Sequence, residues 1–202
     1  AVVNTNLFDS VYVVTEDEEI YDEIHNSCGN SILSKNQHES GSDRIAEACE
    51  SISSDAFVNI QGDEPFIDAN SLKKLVEELH NSDYVSLMIK ISEIQEIENP
   101  NNVKVVVNND NYALYFSRSV IPFRRDSNSD FVDYYKHIGV YGFKKQSLID
   151  FSKTNPSKLE LSEKIEAIRI IENGHKIKMT SIGNPEDITW WDIGIDRVVI
   201  FF

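Results

Sequence analysis

Val58-Asn59-Ile60-Gln61-Gly62-Asp63-Glu64-Pro65 is the stretch on which the fold turns. Its apolar residues predict a buried strand, Phe57 to Gln61, that stops abruptly at a Gly with a carboxylate immediately beyond. In an open α/β sheet, ligands collect outside the carboxyl ends of the strands. An Asp at such a position has the chemistry to hold a hard cation such as Mg2+ against a phosphate-bearing ligand. Gly62 allows the backbone to turn or to approach a ligand closely, and Pro65 cannot extend the ladder. A bare Asp-Glu-Pro is equally a strand ending in an acidic turn, and the rest of the chain has to separate the two readings.

Upstream, Phe8 to Val14 is a short β-rich run. Thr15 is placed to cap a helix from Glu16 to His25, with Glu18 completing a capping box. Ser31 to Ser34 predicts a second strand, and a helix beginning at Asp43 carries Ile45, Ala48, Cys49 and Ile52 on one face. Downstream, Asn70 or Ser71 caps an amphipathic helix with Leu72, Leu75, Val76 and Leu79 inward. Tyr84 to Ile91 is another buried strand, and this alternation predicts parallel strands with right-handed crossovers. The pattern then changes. Val103 to Val107 and Ala113 to Phe116 flank Asn108-Asn109-Asp110-Asn111, a strong turn signal, and predict a β-hairpin inserted into the α/β order. A loop containing Ile121-Pro122 leads to a strand from His137 to Phe143, then to helices Gln146 to Ser152 and Leu159 to Asn173. Gly174 stands where a helix end expects it, and Lys176 to Ile182 is a closing strand. Without repeats or a low-complexity linker, residues 1–202 are expected to form one domain with a hairpin elaboration at about 103–143.

Composition excludes several classes of function. Hydrophobic content of 41% with ten Phe supports a packed core rather than disorder. Lys+Arg 19 against Asp+Glu 34 leaves a net charge of −15, which argues against nucleic acid or an anionic membrane as partner. No apolar run reaches the ~18 residues of a membrane span. Cys28 and Cys49 lack Cys-x-x-Cys spacing and read as reduced thiols of a cytoplasmic protein.

Four blocks make the reading specific: Ser40-Gly41-Ser42-Asp43-Arg44-Ile45-Ala46-Glu47; Asn59-Ile60-Gln61-Gly62-Asp63-Glu64-Pro65; Tyr112-Ala113-Leu114-Tyr115-Phe116-Ser117-Arg118 with Ile121-Pro122; and His137-Ile138-Gly139-Val140-Tyr141-Gly142-Phe143. With Glu163-Lys164-Ile165-Glu166 and Ile168-Arg169 following in order, the chain from about Leu7 to Met179 closely resembles the 3-deoxy-manno-octulosonate (Kdo) cytidylyltransferases. The resemblance implies an α/β, Rossmann-like nucleotidyltransferase fold with a mostly parallel sheet. It also implies a Mg2+-dependent reaction of CTP with the acid sugar Kdo, and a homodimer. Such a transfer needs in-line positioning and neutralisation of growing charge more than a covalent intermediate.

The resemblance assigns roles residue by residue. Asp63 matches the first metal ligand. Asp196, in Gly194-Ile195-Asp196, is the candidate for the second, although Arg197 follows where the family has Thr-Pro. An earlier Pro185-Glu186-Asp187 would put Gly183 there instead. Ser40, Gly41 and Ser42 match the loop near the cytosine ring. Arg44 can aim a fork of donors at a carboxylate or phosphate, or form a surface ion pair with Glu47 or Asp43. His137 and Tyr141, four apart on a strand, face the same side and match the pair that holds the sugar. Gln61, just before the turn, is placed as a hydrogen-bond partner for sugar hydroxyls or carboxylate, and Glu166 matches a family Glu on the sugar side. Ala167 stands where the family often has Gln, leaving a related acid sugar, such as an amino-Kdo or a nonulosonate, as an alternative substrate. The family's opening strand and basic triphosphate loop have no match before Phe8, and no Lys or Arg precedes Lys35. The chain is therefore expected to lack that segment and to bind CTP poorly, and a degenerate, non-catalytic homologue is the third reading.

Overall fold

The computed structural model describes residues 2–5, 7–38, 40–61, 67–125, 132–183 and 197–201. The predicted strand around Val58 is β3, Ala56–Gln61, which lies near the middle of the sheet and whose alternate residues go to two buried faces. The other elements along the first half are β1 (Ser10–Thr15), α1 (Glu18–Asn26), β2 (Asn30–Leu33), α2 (Gly41–Cys49), α3 (Ala69–Leu79), β4 (Tyr84–Ile91) and the short α4 (Ile94–Glu98). The second half carries β5 (Lys104–Val107), β6 (Ala113–Ser117), β7 (Tyr134–Lys144), α5 (Lys145–Ser152), α6 (Lys158–Glu163), α7 (Ala167–Glu172), β8 (Ile177–Ile182) and β9 (Arg197–Phe201).

The order across the sheet is β2-β1-β9-β3-β7-β4-β8. Five of these strands run the same way, as a mostly parallel sheet requires, with β1–β2 and β4–β8 paired in parallel. The direct parallel pairing of β1, β3 and β4 expected from the alternation is interrupted. The antiparallel β9 lies between β1 and β3, and the antiparallel β7 lies between β3 and β4. The β5–β6 hairpin stands off this path, as expected, and joins it through an antiparallel ladder between β5 and β7. Its turn is held by the Asn108 carboxamide, which accepts from the Asp110 and Tyr112 amides at 3.0 and 2.9 Å.

The sorting of side chains makes three layers. Phe57, Tyr84, Met88, Tyr141 and Phe143 face one cluster with Ile45, Leu148 and Ile168 of α2, α5 and α7. Val58, Ile60, Val85, Leu87, Ile89 and Val140 face the other with Leu72, Leu75 and Leu79 of α3. Burial of this area from water is the main term holding helices to sheet.

Three local expectations are corrected. Asp17, not Thr15, caps α1, its carboxylate accepting from the Glu19 and Ile20 amides at 2.8 and 3.2 Å. Asp68, not Asn70 or Ser71, caps α3 by the same device, accepting from both of those residues' amides. The helix expected over Leu159 to Asn173 is two helices, α6 and α7, broken where Lys164 adopts a left-handed conformation with φ 57°. Gly142 marks close packing, since a Cβ there would lie 2.8 Å from Leu79 Cδ1 and 2.9 Å from Leu75 Cδ2.

Candidate active site

The polar side chains in the apolar strands fall on one face and towards one end of the sheet. In β3 the face that carries Phe57 continues as Asn59 and Gln61, and in β4 the face that carries Tyr84 continues as Ser86. A cleft of about 780 Å3 opens beside them, lined by Ser40, Gly41, Gln61, His137, Tyr141 and Glu166 among others. Six residues singled out from four separate sequence blocks are thus brought together at the carboxyl end of β3, where α/β sheets place ligands.

Glu166 joins the two sides of this cleft. Ser42 donates to its carboxylate from both the amide (3.3 Å) and the hydroxyl (3.1 Å), and Gln61 Nε2 donates at 3.1 Å. Asn59 Nδ2 donates in turn to Ser42 Oγ at 3.3 Å. Burial pushes the Glu166 carboxyl pKa up, the bonds from Ser42 and Ser40 pull it back, and the nearby Asp43 charge adds to the rise. The left-handed break at Lys164 is what allows this placement, because it ends α6 two residues before Glu166 and lets α7 start in a new direction. Ala167, by contrast, is fully buried in the apolar cluster and does not line the cleft.

His137 is buried on the cleft floor with its ring 5.3 Å from Tyr141 and 4.9 Å from Phe116. Its Nε2 lies 2.8 Å from Ser86 Oγ, which lies 2.8 Å from the Val140 carbonyl. The carbonyl can only accept, so it takes the single Ser86 proton, and His137 donates from Nε2–H. Nδ1 is then the acceptor of a neutral ring, and desolvation pushes the imidazole pKa down to about 3. A buried neutral imidazole is suited to orienting a hydroxyl rather than to carrying charge.

Arg44 pairs with neither Glu47 nor Asp43. It is buried in α2, donates from Nη2 to Glu16 Oε1 at 3.3 Å, and is not among the cleft-lining residues. Its expected partners are engaged elsewhere. Glu47 accepts from His38 at 2.5 Å, from the Lys35 amide at 2.8 Å and from Ser34 at 2.9 Å. Burial would raise the Glu47 pKa, but these bonds outweigh it and hold it at about 2. Asp43 accepts from Arg169 at 2.9 and 3.2 Å. Arg169, fully buried, also donates to Glu160 at 2.6 and 2.8 Å and lies over the Phe151 ring, so it ties α2, α6 and α7 together behind the cleft. In the sequence Arg169 stands only within the Ile168-Arg169 motif. The signal for its role is that a basic residue at a helix position otherwise facing the core needs acidic partners.

Asp63 and Asp196 lie outside the described residues. Among the described residues no group of three or more His, Cys, Asp or Glu side chains is placed to hold a metal ion. No helix among them is long and apolar enough to cross a membrane.

A three-layer α/β sheet with a polar cleft at its strand ends, built from a Ser-Gly-Ser helix head and a His/Tyr pair, has the form of a nucleotidyltransferase. The chain belongs to the cytidylyltransferase family, whose model matches residues 1–177, and within it groups with the 3-deoxy-manno-octulosonate cytidylyltransferases. The protein of that name from Christiangramia forsetii is 52% identical over 200 residues, covering 93% of this chain and 80% of its own. An 8-amino-3,8-dideoxy-manno-octulosonate cytidylyltransferase from Shewanella frigidimarina is 38% identical, covering 89% of this chain and 78% of its own. The solved structure of a CMP:2-keto-3-deoxy-manno-octonic acid synthetase complexed with CTP superposes with a TM-score of 0.82 at 31% identity, over 90% of this chain and 77% of that one.

Proposed function

We propose that the protein transfers CMP from CTP to the anomeric hydroxyl of Kdo, giving CMP-Kdo and pyrophosphate for lipopolysaccharide synthesis in the cytoplasm. The observation that carries this reading is the convergence of Ser40, Gly41, Gln61, His137, Tyr141 and Glu166 on one cleft. In the reaction the sugar oxygen forms a bond to the α-phosphorus of CTP while the bond to the bridging oxygen of the β-phosphate breaks, pyrophosphate leaving and the hydroxyl proton passing to solvent. Ser40 to Ser42 hold the cytosine end. His137 Nδ1 accepts a hydrogen bond from a sugar hydroxyl, which keeps its proton, and Tyr141 lies beside it. Glu166 fixes Ser42 and Gln61 relative to each other, so that nucleotide and sugar meet in line.

Mg2+, held by Asp63 and Asp196, would neutralise charge developing on the phosphates and make the attacking hydroxyl a better nucleophile.

Ala167 gives no structural reason to favour another sugar, because it sits in the core rather than in the cleft. The decisive measurement is Kdo-dependent pyrophosphate release by the full-length protein with CTP and Mg2+. Release with Kdo is expected to exceed that with its 8-amino analogue, and the reverse preference would assign the amino sugar instead. No release with either sugar would favour a non-catalytic homologue. Asp63→Asn is expected to lower turnover by at least ~100-fold while leaving the fold intact. Near-normal release by that variant would remove Asp63 from the metal site.

A further inference from the structure

The blocks Ser117-Arg118 and Glu163-Lys164 belong to the resemblance, yet the transfer reaction gives neither a role. In space they are one unit. Glu163 accepts from the Ser117 hydroxyl at 2.6 Å and from the Arg118 amide at 3.0 Å. Arg118 returns the contact, donating from Nε to the Glu163 carbonyl at 2.7 Å and from Nη1 to the Pro100 carbonyl at 3.1 Å. Beneath them Lys104 is fully buried, and its ammonium donates to the carbonyls of Asn99 (2.9 Å), Asn102 (2.6 Å) and Arg118 (2.6 Å).

Three separate segments are thereby locked to one another: the turn before β5, the end of β6, and the joint between α6 and α7. Those same segments supply Asn101, Val103, Arg118 and Lys164 to the cleft. The remaining cleft residues at the head of α2 and the end of β3 are fixed independently, through Glu166. A buried lysine is a costly way to fill space, since an apolar side chain of similar volume serves stability as well or better. What an apolar residue cannot do is hold three carbonyls from two segments in one geometry. Burial pushes the Lys104 pKa down, the Arg118 charge acts in the same direction, and Glu163 opposes both.

We infer that Lys104 and Glu163 are positioning residues that set the sugar-side wall of the cleft against the His137 strand without touching substrate. The inference rests on the CMP-transfer reading above. Val103 links the wall to the floor directly, its carbonyl accepting from the His137 amide at 2.8 Å. Loosening the clamp should therefore disturb the sugar more than the nucleotide.

The test is Glu163→Gln in the full-length protein, with Ser117→Ala as a milder variant that removes one of the two bonds to the carboxylate. Glu163→Gln keeps the shape but turns an amide group against one of its two donors. The Michaelis constant for Kdo is expected to rise about 10-fold while that for CTP changes less than about 2-fold, with Ser117→Ala showing the same split on a smaller scale. Amide hydrogen exchange at Arg118, which needs no substrate, should quicken in Glu163→Gln. Equal changes in both Michaelis constants, or no change in either, would overturn the positioning role. Unchanged exchange at Arg118 would overturn the clamp even if the wild-type protein showed no Kdo-dependent turnover, an outcome that by itself counts against the transfer reading alone.

Discussion

His137 illustrates how little a residue type says until its surroundings are known. Its ring is buried among Phe116 and Tyr141 and hydrogen-bonded to Ser86, and desolvation holds its pKa near about 3. In an unfolded chain a His takes up its proton at about pH 6.5. Between those values the unfolded state binds more protons than the folded one, so stability is full above the window and falls as pH drops through it. His137→Gln should therefore flatten the fall in denaturant midpoint between about pH 7 and about pH 4. Parallel curves for variant and wild type would mean that the folded protein carries His137 charged. The His137/Tyr141 pair was readable from the sequence because parity along a strand fixes which side chains share a face. The Ser86 partner was not, because the register of β7 against β4 shifts between Ser86 and Leu87.

At the scale of elements, the strands were the most legible. Tyr84–Ile91 has the ends the pattern predicts, because a strand buried on both faces reads as one apolar run. Helix ends were less so. Thr15, Asp17, Asp68, Asn70 and Ser71 are all able to cap, and which one does depends on backbone direction at the strand exit. The break at Lys164 was invisible, since a left-handed non-Gly residue costs about 1–2 kcal/mol and no local signal announces it. It persists because the Lys164 amide still reaches the Glu160 carbonyl at 2.7 Å and Glu163 is held by Ser117 and Arg118. Packing of α3 on β7 gives a prediction at this scale. Gly142→Ala should destabilise by about 1–3 kcal/mol, because the new methyl meets Leu75 and Leu79 in a filled layer. Leu75→Ala in the same chain should recover part of that loss, and two losses that simply add would show that the methyl is accommodated elsewhere.

For the whole molecule, the hairpin bears on assembly. Phe116, Val105 and Ala113 are buried in the chain's own core, and the tip is tied down where the Met179 amide donates to the Asn111 carbonyl at 2.8 Å. Part of the hairpin's apolar content is thus internal. Phe123 remains 85% exposed and Leu114 57% exposed. A homodimer through this region is our expectation, and sedimentation at micromolar concentration should show a dimer that Phe123→Asp converts to a monomer. A wild-type monomer under those conditions would reject it.

By itself the sequence determined the α/β class, most strands, the hairpin and six of the side chains that line the cleft. Each of these follows from a period of apolar residues or from short motifs whose order along the chain survives folding. Only the tertiary structure decided which strands are neighbours, with β7 and β9 inserted between strands that the alternation would pair directly. It alone paired Arg44 with Glu16, gave Asp43 to Arg169, and joined Lys104, Arg118 and Glu163 into one clamp. The physical reason is the same throughout: a buried charge takes the partner that folding brings within reach, and sequence separation carries no record of that choice.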